Sequence, residues 1–214
     1  HKMEEVTYDE MLEMASLGAK VLHSRCVEIA KKYGVELLVC SSLNRNSGTM
    51  VREKTKMEKM LISGVAADKN VAKIRVAGLG NDPESTFRLL NLLDRNNLNI
   101  DVMIQSLGKD GTKSVSFTVA KPDMLRTIDV LNDNKDSLGI KKLDYDENVA
   151  KISVIGAGVR SHSGVAAKMF GALANAGINT EMITTSEIRI TALIDEAYAD
   201  QAMRAIHETF LERV

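Results

Sequence analysis

The sequence predicts an α+β protein that contains two βαββαβ units, and three observations support this prediction. A seven-residue phrase occurs twice, as DKNVAKI at residues 68–74 and as DENVAKI at residues 146–152. The residues that follow also agree, with VAGLG after the first copy and VIGAG after the second. The same succession of hydrophobic periods, first of two and then of three to four, follows each copy. A long repeat that occurs only twice is typical of two small domains rather than of a solenoid.

The first copy predicts six elements in order. The repeated phrase begins a strand, and Phe87, Leu90 and Leu93 recur at helical spacing behind it. Strands are then predicted at 99–106 and 113–119, the second from the alternation of Val115, Phe117 and Val119 with polar residues. A second helix carries Leu125, Ile128 and Leu131, and a strand at about 140–146 closes the unit.

The second copy repeats this order. Ala150, Ile152 and Val154 alternate with polar residues as in a strand, and an amphipathic helix from Val165 ends at Gly177. Strands at 179–185 and 187–194 and a helix through Phe210 follow. This is the ferredoxin-like topology, but the second copy lacks its fourth strand. Because an unpaired sheet edge is unfavourable, we expect residues 60–66 (MLISGVA) to complete the second sheet, so that the first unit is inserted into the second.

Residues 3–58 belong to neither copy. They predict a helix at 8–16, a second helix through Cys26 and Ala30, and a strand at 35–40 before a polar loop at 41–49. One strand and two helices bury too little surface to fold alone, so this segment resembles the tail of a larger α/β domain. The predicted domains are 1–58, then 68–147, then 59–67 together with 148–214.

Composition limits the partners that the chain can have. Its 214 residues include 28 basic and 29 acidic side chains, for a net charge of −1 and no block of like charge. We therefore expect neither a nucleic-acid nor a membrane partner, and small neutral or zwitterionic ligands instead. Two cysteines, no signal peptide and no long apolar run predict a reduced, cytoplasmic protein.

Several motifs resemble one family. The sequence GAKVLHSR at 18–25, with Ser41-Ser42 and Ser47-Gly48-Thr49, resembles the end of the catalytic domain of aspartokinases. The repeats resemble that family's tandem ACT domains, most specifically in GAGVRSHSGV at 156–165 and TSEI at 185–188. The resemblance covers nearly the whole chain. The sequence has no counterpart of the family's N-terminal kinase segment, which holds the phosphates and aspartate. We therefore assign no catalytic residue to this chain.

The resemblance implies an allosteric module. Aspartokinases transfer the γ-phosphoryl group of MgATP to L-aspartate in lysine, threonine and methionine biosynthesis, and their ACT domains sense these end products. It implies L-lysine, L-threonine or both as effectors and a kinase catalytic domain or subunit as a partner. Strand edges are expected to pair into a homodimer or higher oligomer. MgATP belongs to the parent enzyme, no cofactor or metal is expected in this chain, and residues 41–58 are the expected hinge.

Effector residues are carried over from the resemblance at the loop after the first strand and at the strand that begins with Asn-Ile. Backbone N–H groups at a helix N-terminus suit an amino-acid carboxylate, while carboxylates and amide oxygens accept from its ammonium. Lys20 and Val21 match positions that contact ATP in the family. The expected effector residues of the first unit are Asn81, Asp82, Pro83, Glu84, Ser85, Thr86, Asn99, Ile100, Asp101 and Gln105, and those of the second are Val165, Ala166, Asn179, Thr180, Ser186 and Glu187.

Other interpretations of these residues stay open. The first-unit loop reads Asn81-Asp82-Pro83-Glu84 where the family usually has Asp-Lys-Pro-Gly, and the lost glycine favours an ACT pair that only dimerises the enzyme. His23 and Cys26 stand three apart on a helix but have no third orienting group, which favours structural roles. The glycines at 156 and 158 lack the lysine-serine pair of a phosphate loop, so we interpret them as turn glycines.

Overall fold

The structure is a computed structural model that describes residues 2–19, 21–43, 47–53 and 62–211. It divides into a continuous unit, Asn70–Ala150, and a discontinuous unit, His1–Lys69 with Lys151–Val214. The strands are Glu5–Thr7 (β1), Leu37–Val39 (β2), Thr49–Arg52 (β3), Gly64–Leu79 (β4), Met103–Leu107 (β5), Lys113–Ala120 (β6), Lys142–Ile155 (β7), Met182–Thr185 (β8) and Arg189–Asp195 (β9). The α-helices are Tyr8–Ser16 (α1), Ser24–Tyr33 (α2), Pro83–Arg95 (α3), Met124–Asp133 (α4), Lys135–Leu138 (α5), Gly158–Ser161 (α6), Val165–Asn175 (α7) and Ala199–Leu211 (α8).

The sheet of the continuous unit has the strand order β5-β6-β4-β7. Strand β6 pairs antiparallel with both neighbours, so that Phe117 lies opposite Ile74 of β4 and Met103 of β5. Helices α3 and α4 supply Leu89 and Leu131 to the same buried cluster as Ile74 and Phe117. The order β4, α3, β5, β6, α4, β7 along the chain is the predicted βαββαβ succession.

One predicted core residue of α3 lies on the wrong face. Phe87 is 65% exposed, whereas Leu89 and Leu93 are fully buried. The buried face follows Ser85, Leu89 and Leu93 in steps of four. Phe87 lies two residues away from two of them, which is about 200° around a helix with 100° per residue. Of the apolar stripe expected from Phe87, Leu90 and Leu93, Phe87 therefore lies outside the buried face.

Strands β4 and β7 are each longer than predicted. The closing strand expected at about 140–146 and the strand expected from residue 150 form one strand, Lys142–Ile155. The segment between them contains no glycine or proline that would end a strand, so the ladder continues. Strand β4 likewise runs from Gly64 through the repeated phrase to Leu79.

The sheet of the discontinuous unit has the strand order β4-β7-β9-β8. Of the segment expected to complete this sheet, Met60 and Leu61 lie outside the described residues, and the strand itself begins at Gly64. Just before it, the backbone N–H of Ser63 donates to the carbonyl oxygen of Ile155 at 2.7 Å. Within the sheet, the hydroxyls of Ser153 and Thr191 form a buried hydrogen bond of 2.7 Å.

In its described residues, the N-terminal segment of the discontinuous unit contains three strands where one was predicted. Its sheet has the order β1-β3-β2, with β1 parallel and β2 antiparallel to β3. Strands β1 and β3 are three and four residues long, too short for a period of two to show in the sequence. Of the hinge expected at 41–58, residues 44–46 and 54–58 lie outside the described residues, and Thr49–Arg52 is β3.

Helix α1 is tied to the rest of its unit by its first turn. Thr7 and Glu10 form a capping box, in which the Thr7 hydroxyl accepts from the Glu10 backbone and the Glu10 carboxylate accepts from the Thr7 backbone. Glu10 is buried and also accepts from the hydroxyl of Ser63. The apolar residues Met11 and Met14 of α1 join Ala66 and Ile155 in one buried cluster. No helix within the described ranges is long and apolar enough to cross a membrane.

Candidate effector site

The N-terminus of α3, the first expected site, is occupied by the protein's own carboxylate. Asp82 Oδ1 accepts from the backbone N–H groups of Glu84 and Ser85, both at 2.9 Å. The Ser85 hydroxyl donates to Asp82 Oδ2 and, as the largest cause, lowers the pKa of Asp82 below 3.8. Because Pro83 has no N–H, these two amides are the donors that the first turn offers. A ligand carboxylate would have to displace Asp82.

Part of the predicted first-unit site does lie together. Thr86 of α3 donates from its hydroxyl to Gln105 Oε1 of β5 at 2.6 Å. Lys113 Nζ of β6 donates to the backbone oxygen of Asp82 at 2.8 Å. Asn81 and Glu84 are exposed beside this group, whereas Ser85 is 1% exposed and its hydroxyl serves the helix cap.

Asn99, Ile100 and Asp101 lie farther along the chain from Gln105. They precede β5, and the Asp101 backbone N–H donates to the oxygen of Thr118 at 3.2 Å. Asp101 and Gln105 are four positions apart, a span of up to roughly 13 Å at 3.3 Å per residue. The predicted first-unit residues thus form two groups at different points of the β5 segment.

The N-terminus of α7, the second expected site, has no side-chain cap. Its N-cap residue is Gly164, which makes no side-chain cap hydrogen bond. Val165 is buried and its N–H reaches the backbone oxygen of His162 at 3.3 Å, while Ala166 is half-buried. Unlike α3, whose cap residue Asp82 accepts from two first-turn amides, this helix begins at a residue that has no side-chain acceptor.

Ser186 and Glu187 lie in the turn between β8 and β9. The Ser186 N–H donates to the Arg189 oxygen at 2.8 Å and closes this turn. Gly156, in the loop that follows β7, donates its N–H to the oxygen of Ile188 at 2.9 Å. Arg160 of α6 forms an ion pair of 2.9 Å with Glu187, and both side chains are mostly exposed. These contacts bring the GAGVR segment and the TSEI turn together.

The remaining predicted residues are placed as follows. Asn179 and Thr180 precede β8; Asn179 is exposed and Thr180 is half-buried. Neither side chain forms a hydrogen bond to the β8–β9 turn among those that the structure describes. Val21 is 61% exposed between α1 and α2, and Lys20 lies outside the described residues. His23 caps α2 through Nδ1, which accepts from the Arg25 N–H at 3.2 Å. The described residues contain no cluster of metal-ligating side chains.

Sequence reasoning missed two arginines near the second site. Arg160 follows the repeated glycine motif directly, and its position next to a carboxylate-bearing turn was a usable signal. Arg189 forms an ion pair of 2.8 Å with Glu13, with side chains 19% and 25% exposed. These two residues are 176 positions apart in the sequence, so no local sequence pattern predicts their ion pair.

Comparison with known proteins finds a matching domain family and relatives whose sequences are similar over nearly the whole chain. The ACT domain family model matches residues 152–210. An aspartokinase of Pseudomonas aeruginosa is 40% identical over 212 residues, which cover 98% of this chain and 52% of the relative. The chain thus spans about half the length of the curated relatives it matches.

Two solved structures match over almost their whole length. The aspartokinase alpha and beta subunits are 42% identical with a TM-score of 0.66, covering 70% of this chain and 98% of that chain. The ligand-free regulatory subunit of aspartate kinase from Thermus thermophilus is 33% identical with a TM-score of 0.66, covering 70% of this chain and 99% of that chain. With this identity over nearly complete subunits, the chain belongs to the aspartokinase family.

Proposed function

We propose that this chain is the amino-acid-sensing part of an aspartate kinase, and that it binds L-lysine, L-threonine or both to control phosphorylation of L-aspartate by MgATP. Effector binding changes the relative populations of active and inhibited states, which requires different effector affinities in the two states. Homology to an aspartate kinase regulatory subunit supports the regulatory role. The family resemblance supplies lysine and threonine as candidates, and the chemistry of the second-unit site supports an amino-acid ligand.

The observation that carries the proposal is the contrast between the two helix N-termini. Asp82 caps α3, whereas α7 begins at Gly164 without a side-chain cap. An effector carboxylate therefore binds at the first turn of α7, beside Val165 and Ala166, where backbone N–H groups and the helix dipole favour an anion. Ser186 and Glu187 in the β8–β9 turn supply acceptors for its ammonium group.

The roles of the other expected residues follow from the same proposal. Other expected effector residues line interfaces that form with a second copy of the chain. They are Asn179 and Thr180 of the second unit and Asn99, Ile100, Asp101 and Gln105 of the first. Such a homodimer or higher assembly pairs sheet edges. Residues 1–58 belong to the kinase domain, in which Lys20 and Val21 contact ATP, and the ACT domains comprise 68–147 and 59–67 with 148–214. The protein acts in the cytoplasm.

A second candidate function is dimerisation without effector binding. The observation that favours it is the Asp82 cap, because the protein's own carboxylate already fills the position of a ligand carboxylate in the first unit. On this alternative the α7 N-terminus is solvated and the ACT pair only joins two kinase chains.

Thermal unfolding of the chain with millimolar L-lysine, L-threonine, L-methionine and the lysine–threonine pair separates the two functions. A ligand at 100 times its Kd stabilises the folded state by about 2.7 kcal/mol. For a chain of this size that corresponds to a rise in Tm of roughly 5–11 °C. A rise with lysine or threonine supports sensing, whereas no rise with any of the four additions supports dimerisation alone.

Two substitutions locate the site. Ser186→Ala removes a hydroxyl acceptor, and Glu187→Gln removes the carboxylate charge while preserving its size. We expect each to reduce the effector-induced rise in Tm and to leave the ligand-free Tm within about 2 °C, because both residues are exposed. Glu208→Gln on α8 is the matched control, since Glu208 is also exposed and lies far along the chain from the turn. Equal rises in all three variants would contradict the second-unit site.

A further inference from the structure

We propose that the ion pair between Arg189 and Glu13 couples effector binding at the β8–β9 turn to helix α1 and to the segment that follows it. This inference rests on the proposed function, because it concerns how the same site is read out. Both residues lie in the discontinuous unit. Their charged atoms are 2.8 Å apart, and their side chains are only 19% and 25% exposed.

Arg189 is attached directly to the proposed effector turn. Its backbone oxygen accepts from the Ser186 N–H at 2.8 Å, so it forms the closing residue of that turn. The preceding residue, Ile188, accepts from the Gly156 N–H at 2.9 Å, which joins the turn to the loop before α6. A ligand that draws Ser186 or Glu187 toward α7 therefore moves the backbone from which the Arg189 side chain projects.

The other end of the ion pair lies in the last turns of α1. The Glu13 backbone oxygen accepts from the Leu17 N–H at 3.0 Å, at the helix C-cap. Gly18 follows with a φ of +100°, and a Cβ there would lie 2.5 Å from the backbone oxygen of Ala67. This close packing transmits a displacement of α1 to the GAKVLHSR segment, since the Gly18 turn cannot absorb it by moving toward β4.

The ion pair is suited to respond to a small shift. Among the atoms that the structure describes, Arg189 Nε is buried and has no hydrogen-bond partner. A buried donor without a partner costs free energy, so a shift that gives Nε a partner is favoured. The apolar contacts of Met11 and Met14 hold α1 in place without regard to direction, whereas the charged hydrogen bond is directional. A shift of Arg189 therefore moves Glu13 and displaces α1 along its apolar contacts.

Hydrogen exchange of the 214-residue chain, with and without L-lysine or L-threonine, tests the coupling. In the wild type we expect the effector to change amide exchange in α1 by at least about 5-fold, the lower end of typical coupling. In Glu13→Gln the effector affinity should stay within about 3-fold of wild type, while the exchange change in α1 falls below about 2-fold. Glu13→Arg combined with Arg189→Glu should restore the response.

Asp9→Asn is the matched control. Asp9 also lies on α1 and also forms an ion pair, but its partner is Lys31 on α2 rather than the β9 strand. This variant should keep the full exchange response. If Glu13→Gln unfolds, Arg189→Lys, which preserves the charge but not the fork of donors, replaces it.

The outcomes separate the two proposals. If neither amino acid binds the wild-type chain, the proposed function fails and the coupling fails with it. If one binds and α1 exchange does not change, sensing stands and the coupling is overturned. An equal response of α1 in Glu13→Gln and Asp9→Asn also overturns it. Loss of the response in Glu13→Gln alone supports it.

Discussion

Replacing Lys151 by methionine tests an ion pair whose lysine is almost completely buried. Lys151 Nζ lies 3.3 Å from Asp68 Oδ2, and the two side chains are 5% and 19% exposed. Both residues belong to the discontinuous unit, Asp68 on β4 and Lys151 on β7. Methionine preserves most of the apolar stem and removes the ammonium group, so the substitution isolates the charge.

The magnitude follows from the distance and the burial. At 3.3 Å two unit charges attract by about 5 kcal/mol at an effective dielectric constant of about 20. Desolvation offsets part of this, yet removing one partner of a buried pair still costs about 3–5 kcal/mol. Asp68 is partly exposed and has further interactions of its own, so we expect a loss of about 2–3 kcal/mol in the free energy of unfolding.

Urea denaturation measures this loss, and the sequence repeat supplies the control. Lys73 occupies the repeat position equivalent to Lys151 but is only half-buried, so Lys73→Met should cost less than about 1 kcal/mol. Asp68→Asn combined with Lys151→Met should be less destabilised than Lys151→Met, because no buried charge remains. A Lys151→Met free energy of unfolding within about 0.5 kcal/mol of the Lys73→Met value would refute the reasoning.

Two further predictions concern the backbone and the helix cap. Gly18→Ala should lower the free energy of unfolding by about 2 kcal/mol or more in urea, because φ is +100° and the new Cβ meets the Ala67 oxygen. Gly164→Ala, whose φ is −90° with nothing within 4 Å, is the control and should be neutral or slightly stabilising. The Asp82 pKa is lower when folded, so its stabilisation is present above pH 3.8 and lost as the pH falls through the lowered pKa. Asp82→Asn should therefore flatten the acid limb of a pH titration of urea stability, and an unchanged limb would contradict this cap.

Most helices and strands of the ACT units were predictable because they are long enough to display a hydrophobic period. The prediction of a helix at 8–16 is confirmed, and the β6 strand agrees with the predicted 113–119 to within one residue. Strands β1 and β3 were missed because three or four residues display no period. Phe87 fits the helical spacing of Leu90 and Leu93, and only packing selects the face that is buried.

The candidate site was less predictable than the fold. Local motifs identified the α7 N-terminus and the TSEI turn, since both occupy continuous stretches of sequence. The competition of Asp82 for the α3 amides depends on a side-chain rotamer and on the Ser85 hydroxyl. The span between Asp101 and Gln105 depends on where the β5 strand begins.

Duplication, element order and family are properties of this amino-acid sequence, because periodicity and short motifs are encoded by neighbouring residues. The face of α3 that is buried, the burial of Lys151 as opposed to Lys73, and the pairing of Arg189 with Glu13 required folded coordinates. Each depends on residues distant in the chain that approach within hydrogen-bond or van der Waals contact, and the free energy of such contacts is set by burial and geometry rather than by residue type.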